Sequence, residues 1–149
     1  MSLNMPSTPT VSFHFLEGGS FTLSQRRALK AFIINLFKKE KTAFSGLNYI
    51  FCSDDYLLEI NRQYLKHDYY TDIITFGLSG KGEPVHGEIY ISVDRVRDNA
   101  KEFHTSLSHE MHRVIFHGAL HLCGYRDKKK QEGELMRRME DKYLALYGM

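Results

Sequence analysis

Cysteine is scarce in this chain. Cys52 and Cys123 are the two present among 149 residues, too few for the disulfide framework that staples small secreted domains. Long apolar runs are missing too. None approaches the roughly 18 residues needed to span a bilayer, so no membrane association is expected. No basic start followed by an apolar core marks a secretory leader, and the expected location is the cytoplasm. The opening "MSL" reads as a cloning scar, residues 1–10 as a flexible lead-in. Net charge is nearly absent: +2 is too small to indicate a nucleic-acid partner by itself. Internal repeats and low-complexity segments are lacking as well. What is there is 42% hydrophobic and 13% aromatic residues, enough for a core, and a length that fits one domain over residues 1–149.

Periodicity sets out the elements. "VSFHFL" (Val11 to Leu16) alternates and predicts a strand. Leu29, Phe32, Ile33, Leu36 and Phe37 form one stripe of a helix over Ser24 to Glu40, with Ser24 as its N-cap. "GLNYIFCS" predicts a second strand. Ser53 then caps "DDYLLEINRQYL", which carries two acids in its first turn. "DIITFGL" and "GEIYIS" are two more strands around a glycine-rich connection, and "SVDRVRDNAKEF" is a capped helix. Ser106 to Cys123 is apolar on nearly every side, so it is expected at the centre of the molecule. The terminal helix, "QEGELMRRMEDKYLALYG", is expected to bury Leu135, Met139 and Leu146. These elements predict an α+β fold: a small mixed sheet of about four strands packed with about five helices. Strand order is not readable.

Histidine is concentrated in one stretch: five of the eight lie between His104 and His121. On the central helix His117 and His121 lie one turn apart, with Cβ atoms roughly 6 Å from each other. Gly124 terminates the helix, and the turn allows Asp127 to swing back as a third ligand. Two imidazoles and a carboxylate leave one coordination position open, the arrangement of a catalytic rather than a structural zinc site. An ion held so can bring the pKa of water to about 7. The competing reading is a pair of core histidines on a buried helix. Gly118 follows His117 where His-Glu-x-x-His proteases carry their general base, which weakens a protease reading. A glycine there also permits close approach of a neighbour.

The stretch "HGALHLCGY" resembles the His-Gly-x-Leu-His-Leu-x-Gly-Tyr signature of the YbeY family, bacterial metal-dependent endoribonucleases of ribosomal RNA maturation. "INRQYLKHDYYTDIITF" and "HGEIYIS" resemble two further family blocks, in the same order. The resemblance runs from about Ile60 to the C-terminus. It implies an α+β fold with the histidine helix in a cleft and one divalent metal ion, zinc first, with manganese, iron or nickel as alternatives. It also implies cleavage of single-stranded RNA, maturation of the 3′ end of small-subunit ribosomal RNA, ribosome quality control, and ribosomal RNA and the small ribosomal subunit as partners. His117 and His121 match the first two metal ligands.

Two positions depart from the pattern. Asp127 stands where the family carries its third histidine, and a carboxylate is a harder ligand that favours manganese or iron more than histidine does. An ion pair with Arg126 or Lys128 would instead remove it from the metal. Leu65 stands where the family carries an arginine thought to act in catalysis. Arg62, Lys66 and Arg113 are the candidates to replace its charge. Arg113, four residues before His117, lies on the ligand face, and its alternative is a salt bridge to Glu110. Asp72 and Glu88 are candidate acid–base groups at strand ends, with capping or ion pairing as the plainer reading. Lys128, Lys129 and Lys130, near Arg137 and Arg138, are either a solvated face or contacts to an RNA backbone. Cys123 is expected to pack rather than to bind metal. His104, His109 and His112 are expected at the surface or at helix ends. Three other functions stay open at this level: an RNA-binding factor with weak or lost catalysis, a metallohydrolase of another substrate, and a non-haem iron enzyme.

Overall fold

The computed structural model describes residues 8–149. The proposed scar and most of the flexible lead-in fall on residues 1–7, outside the described residues. The chain then runs β1 (Thr10–Phe15), α1 (Arg26–Lys39), β2 (Phe44–Cys52), α2 (Asp54–Leu65), β3 (Ile73–Gly77), β4 (Val85–Ser92), α3 (Val93–Glu102), α4 (Leu107–Leu122) and α5 (Lys130–Tyr147). The expected fold class is the one observed. The sheet has the order β1-β2-β4-β3. β1, β2 and β4 are mutually parallel and β3 runs antiparallel to β4.

Helix starts follow local chemistry. Ser53, Ser92 and Ser106 accept hydrogen bonds from the backbone N–H of Tyr56, Arg95 and His109, so α2, α3 and α4 begin where a serine can satisfy an orphan donor. α1 and α5 have no such serine. Ser24 does not cap α1; Gln25 precedes the helix in the left-handed region at φ 53° with no side-chain cap.

Strand alternation sorts the sheet into two unequal faces. Val11, Leu47, Tyr49, Phe51, Ile89 and Ile91 belong to the main core, with α1, α4 and α5 residues such as Ile33, Phe116 and Tyr143. The opposite face buries Cys52 and Ile74 against Leu57 of α2 in a much smaller cluster. α4 is central, as expected: Met111, Val114, Ile115, Phe116, Ala119 and Leu120 are all buried. Gly118 brings it onto the sheet. A Cβ there would stand 2.9 Å from the Ile89 side chain and 3.0 Å from that of Ile73, so the neighbours that the glycine admits are two strand isoleucines. The Tyr49 hydroxyl crosses the same interface and donates to the Ile115 carbonyl at 2.9 Å, which satisfies a polar group buried in the core.

Helix α5 is rotated from its expected phase. Met136, Glu140, Tyr143 and Leu144 face inward; of the expected residues, Met139 is half-buried against the main core, whereas Leu135 and Leu146 are exposed. The inward stripe includes an acid, and that acid has buried partners. His112 is also buried rather than superficial. Its Nδ1 lies 2.6 Å from the Ser108 carbonyl, and its ring stacks on Tyr147.

Candidate metal centre

His117 and His121 project from the last two turns of α4. The helix then stops at Cys123, and Gly124 takes φ +105°, a region that favours glycine. Tyr125 N–H bonds back to the Leu120 carbonyl, and the chain returns Asp127 to the histidines. The Tyr125 hydroxyl donates to Glu40 at 2.7 Å, and Tyr143 donates to the same carboxylate, tying the turn to the ends of α1 and α5. Half-buried Cys123 packs against the main core.

One donor atom each from His117, His121 and Asp127 lies within 4.8 Å of the others. His117 Nε2 is 3.3 Å from Asp127 Oδ2, and His121 Nε2 is 3.5 Å from Asp127 Oδ1. Ligands 2.0–2.1 Å from a tetrahedral ion stand about 3.4 Å apart, so the donor set fits a divalent metal. Asp127 thus faces the two imidazoles rather than Arg126 or Lys128.

Behind the triad lies a buried charge chain that the sequence reading did not include. Glu140 Oε2 accepts from His117 Nδ1 at 2.6 Å. That bond puts the proton on Nδ1 and leaves the Nε2 lone pair for a metal, the usual outer support of a histidine ligand. Glu140 Oε1 in turn accepts from Arg113 Nη1 at 3.0 Å, and Arg113 Nη2 donates to Asp141 at 2.8 Å. Arg113 therefore pairs with α5 acids, not with Glu110. Its Nε is buried without a partner among the described residues. Burial works against a charge on His117, but the bond to Glu140 and the charges of Glu140, Asp127 and Asp72 outweigh it and raise its pKa. Surroundings that favour a proton on this ring favour a cation between the rings as well.

The triad opens into a cleft of about 880 Å³. Asp72 and Arg113 are on its wall with Lys128 and Arg137, and Leu65 lies there too. Burial pushes the Asp72 carboxyl up, partly countered by His117; Asn99 Nδ2 donates to it at 3.3 Å. Other candidates lie elsewhere. Glu88 faces the opposite side of the sheet, in a pocket lined by Tyr56, Tyr64, Phe76 and Tyr90. Its strand neighbours Gly87 and Ile89 are the residues that face α4, so a one-residue step removes it from the metal side. Arg62 is engaged by Glu59 and Asp68 at the surface, and Lys66 is the left-handed C-cap of α2. Lys129 and Lys130 begin α5 and are exposed.

Known proteins share this arrangement of chain. A family model described as Endoribonuclease YbeY matches residues 20–148. "Endoribonuclease YbeY" of Cytophaga hutchinsonii is 50% identical over 134 residues, covering 90% of this chain and 94% of the relative. The protein of the same name from Parabacteroides distasonis is 54% identical over 133 residues, covering 89% and 93%. The solution structure of a Thermotoga maritima protein superposes with a TM-score of 0.59 at 28% identity, covering 91% of this chain and 86% of that one. With its fold, its histidine helix and nearly its whole length matched, the chain belongs to the endoribonuclease YbeY family.

Proposed function

We propose that this protein is a metal-dependent endoribonuclease that hydrolyses phosphodiester bonds of single-stranded RNA. Within that reading it acts in the cytoplasm with the small ribosomal subunit, in 3′-end maturation of its RNA and in ribosome quality control. The observation that carries the proposal is the His117–His121–Asp127 donor set in an open cleft, in a chain whose relatives are named endoribonucleases. Zinc is the proposed ion, with manganese, iron or nickel as the alternatives that two imidazoles and a carboxylate admit. Bound there, a divalent ion supplies Lewis-acid polarisation of phosphate and acidification of water.

The side chains have distinct parts in this scheme. His117 and His121 offer Nε2, and Asp127 its carboxylate. Glu140 keeps the His117 proton on Nδ1, and Arg113 holds Glu140 in place. Arg113 is thereby a positioning residue first. Lys128 and Arg137, exposed on the cleft wall, meet the RNA phosphates and steady the charge that grows on the pentavalent phosphorane. Asp72, with its raised pKa, is the cleft carboxyl suited to carry a proton to the leaving oxygen. Leu65 leaves that part of the wall without a cation.

The test is direct. His117→Ala should abolish both metal uptake and cleavage of a single-stranded RNA while the circular dichroism spectrum stays unchanged. Undiminished cleavage by this variant would refute the proposal.

A further inference from the structure

The cleft has two chemically different rims. Lys128 and Arg137 supply positive charge from the start of the α5 region and from α5 itself. The segment joining α2 to β3 supplies aromatic rings instead: His67 and Tyr69 line the same cleft, as does Phe103 at the end of α3. These rings are not core residues. Tyr69 is 56% exposed and Phe103 52% exposed, unlike the buried aromatics of the main core. Two of them are already stacked. The His67 and Tyr69 rings lie 5.1 Å apart and 21° from parallel, and the Tyr69 hydroxyl and His67 Nδ1 are 2.9 Å apart. The backbone beneath them is pinned. Lys66 takes the left-handed conformation at φ 58°, and Asn61, 1% exposed, donates from Nδ2 to the Tyr69 carbonyl at 2.8 Å. A solvent-facing ring pair held this firmly loses little freedom when a third ring joins it.

We infer that the His67–Tyr69 pair is a nucleobase subsite, which takes by stacking an unpaired base of the strand whose phosphate enters the metal centre. The inference rests on the endoribonuclease reading and adds which wall of the cleft reads the bases. A stacked ring tolerates every base, because each has a π-face. It rejects a duplex, whose bases are already stacked inside the helix. Selection for single strands then comes from the α2–β3 segment, and backbone affinity from Lys128 and Arg137. Phe103 offers a second ring to a neighbouring base.

The test uses full-length protein carrying His117→Ala, so that RNA binds without being cut. The probes are a short single-stranded oligoribonucleotide, the same strand with one abasic site moved along it, and a blunt RNA duplex. Tyr69→Ala should weaken single-strand binding about five- to a hundredfold, the size of one lost base stack, and leave duplex binding unchanged. Tyr69→Trp should restore it. One abasic position should weaken the Tyr69 protein but add nothing to the loss in Tyr69→Ala, the non-additivity of groups in contact. Unchanged single-strand affinity in Tyr69→Ala, with Lys128→Ala weakened, would overturn the subsite and leave the endoribonuclease reading standing. The same holds if the abasic penalty is equal in both proteins. If the protein with His117 intact cuts no RNA and the His117→Ala protein binds none, both fall together.

Discussion

The two faces of the sheet are built from alternate residues of the same strands, yet they have different chemistry. Gly87, Ile89 and Ile91 of β4 lie on the side of α4, and between α4 and α5 runs the buried chain from Arg113 through Glu140 to His117. Glu88 and Tyr90 face α2, over a small cluster and a smaller, aromatic-lined pocket. A carboxylate inside a family-like block therefore lies on the side away from the His117–His121–Asp127 group, and a carboxylate outside every recognised block, Glu140, bonds to it. Closeness in a motif is closeness along the chain. On a strand it puts every second residue on the wrong face.

This comparison can be broken by substitution. Glu140→Ala should have the largest effect. It removes one of the two acids that pair with buried Arg113 and leaves Asp141, so the loss should fall at or below the low end of the roughly 3–5 kcal/mol of an uncompensated buried charge. It should also lower metal affinity about 10–100-fold, as outer-support losses do. Denaturant unfolding and metal competition titration would check the two parts separately. Gly118→Ala comes next. Its new methyl meets Ile89 and Ile73, and overpacking of this kind costs about 1–3 kcal/mol, readable as a shifted denaturation midpoint.

A smaller effect is expected from pH. Burial holds the His112 pKa down; its bond to Ser108 works against this, and His109 adds to it. The unfolded chain gains a proton as pH falls through about 6.5, whereas folded His112 stays neutral to lower pH. The unfolded state then binds more protons, so stability should fall on acidification in that window. The stability difference between wild type and His112→Gln should be flat above about pH 7 and shrink below it. Glu88→Gln should have the smallest effect: metal content and RNA cleavage should match wild type. A tenfold loss in either would show that the far face contributes to the centre.

Much of the architecture was legible. α2 and α3 start where Ser53 and Ser92 cap them, and two acids in the first turn of α2 reinforce the signal. The grouping of His117, His121 and Asp127 was legible for a local reason: a helical turn, then a glycine turn, confines all three to eleven residues of chain. Glu140 was not, because its contact with His117 spans 23 positions and depends on how two helices pack. A signal did exist. Glu140 shares its helical face with Met136 and Tyr143, so an acid interrupts an apolar stripe. Apolar residues alone point to a face of Leu135, Met139 and Leu146, of which only Met139 packs against the main core. Arg113 misled similarly: its local partner Glu110 was visible, and its distant partners on α5 were not. The α1 start failed for a different reason, since Gln25 adopts a left-handed turn that nothing in its residue type announces.

The central claim is that His117, His121 and Asp127 jointly hold one divalent ion. Anomalous diffraction at the metal edge, on crystals of protein purified without added metal and then supplied with zinc, tests it most directly. The account predicts one peak within about 2.0–2.3 Å of both Nε2 atoms and an Asp127 oxygen. No peak there, or a peak bound by other residues with Asp127 turned away, would contradict it.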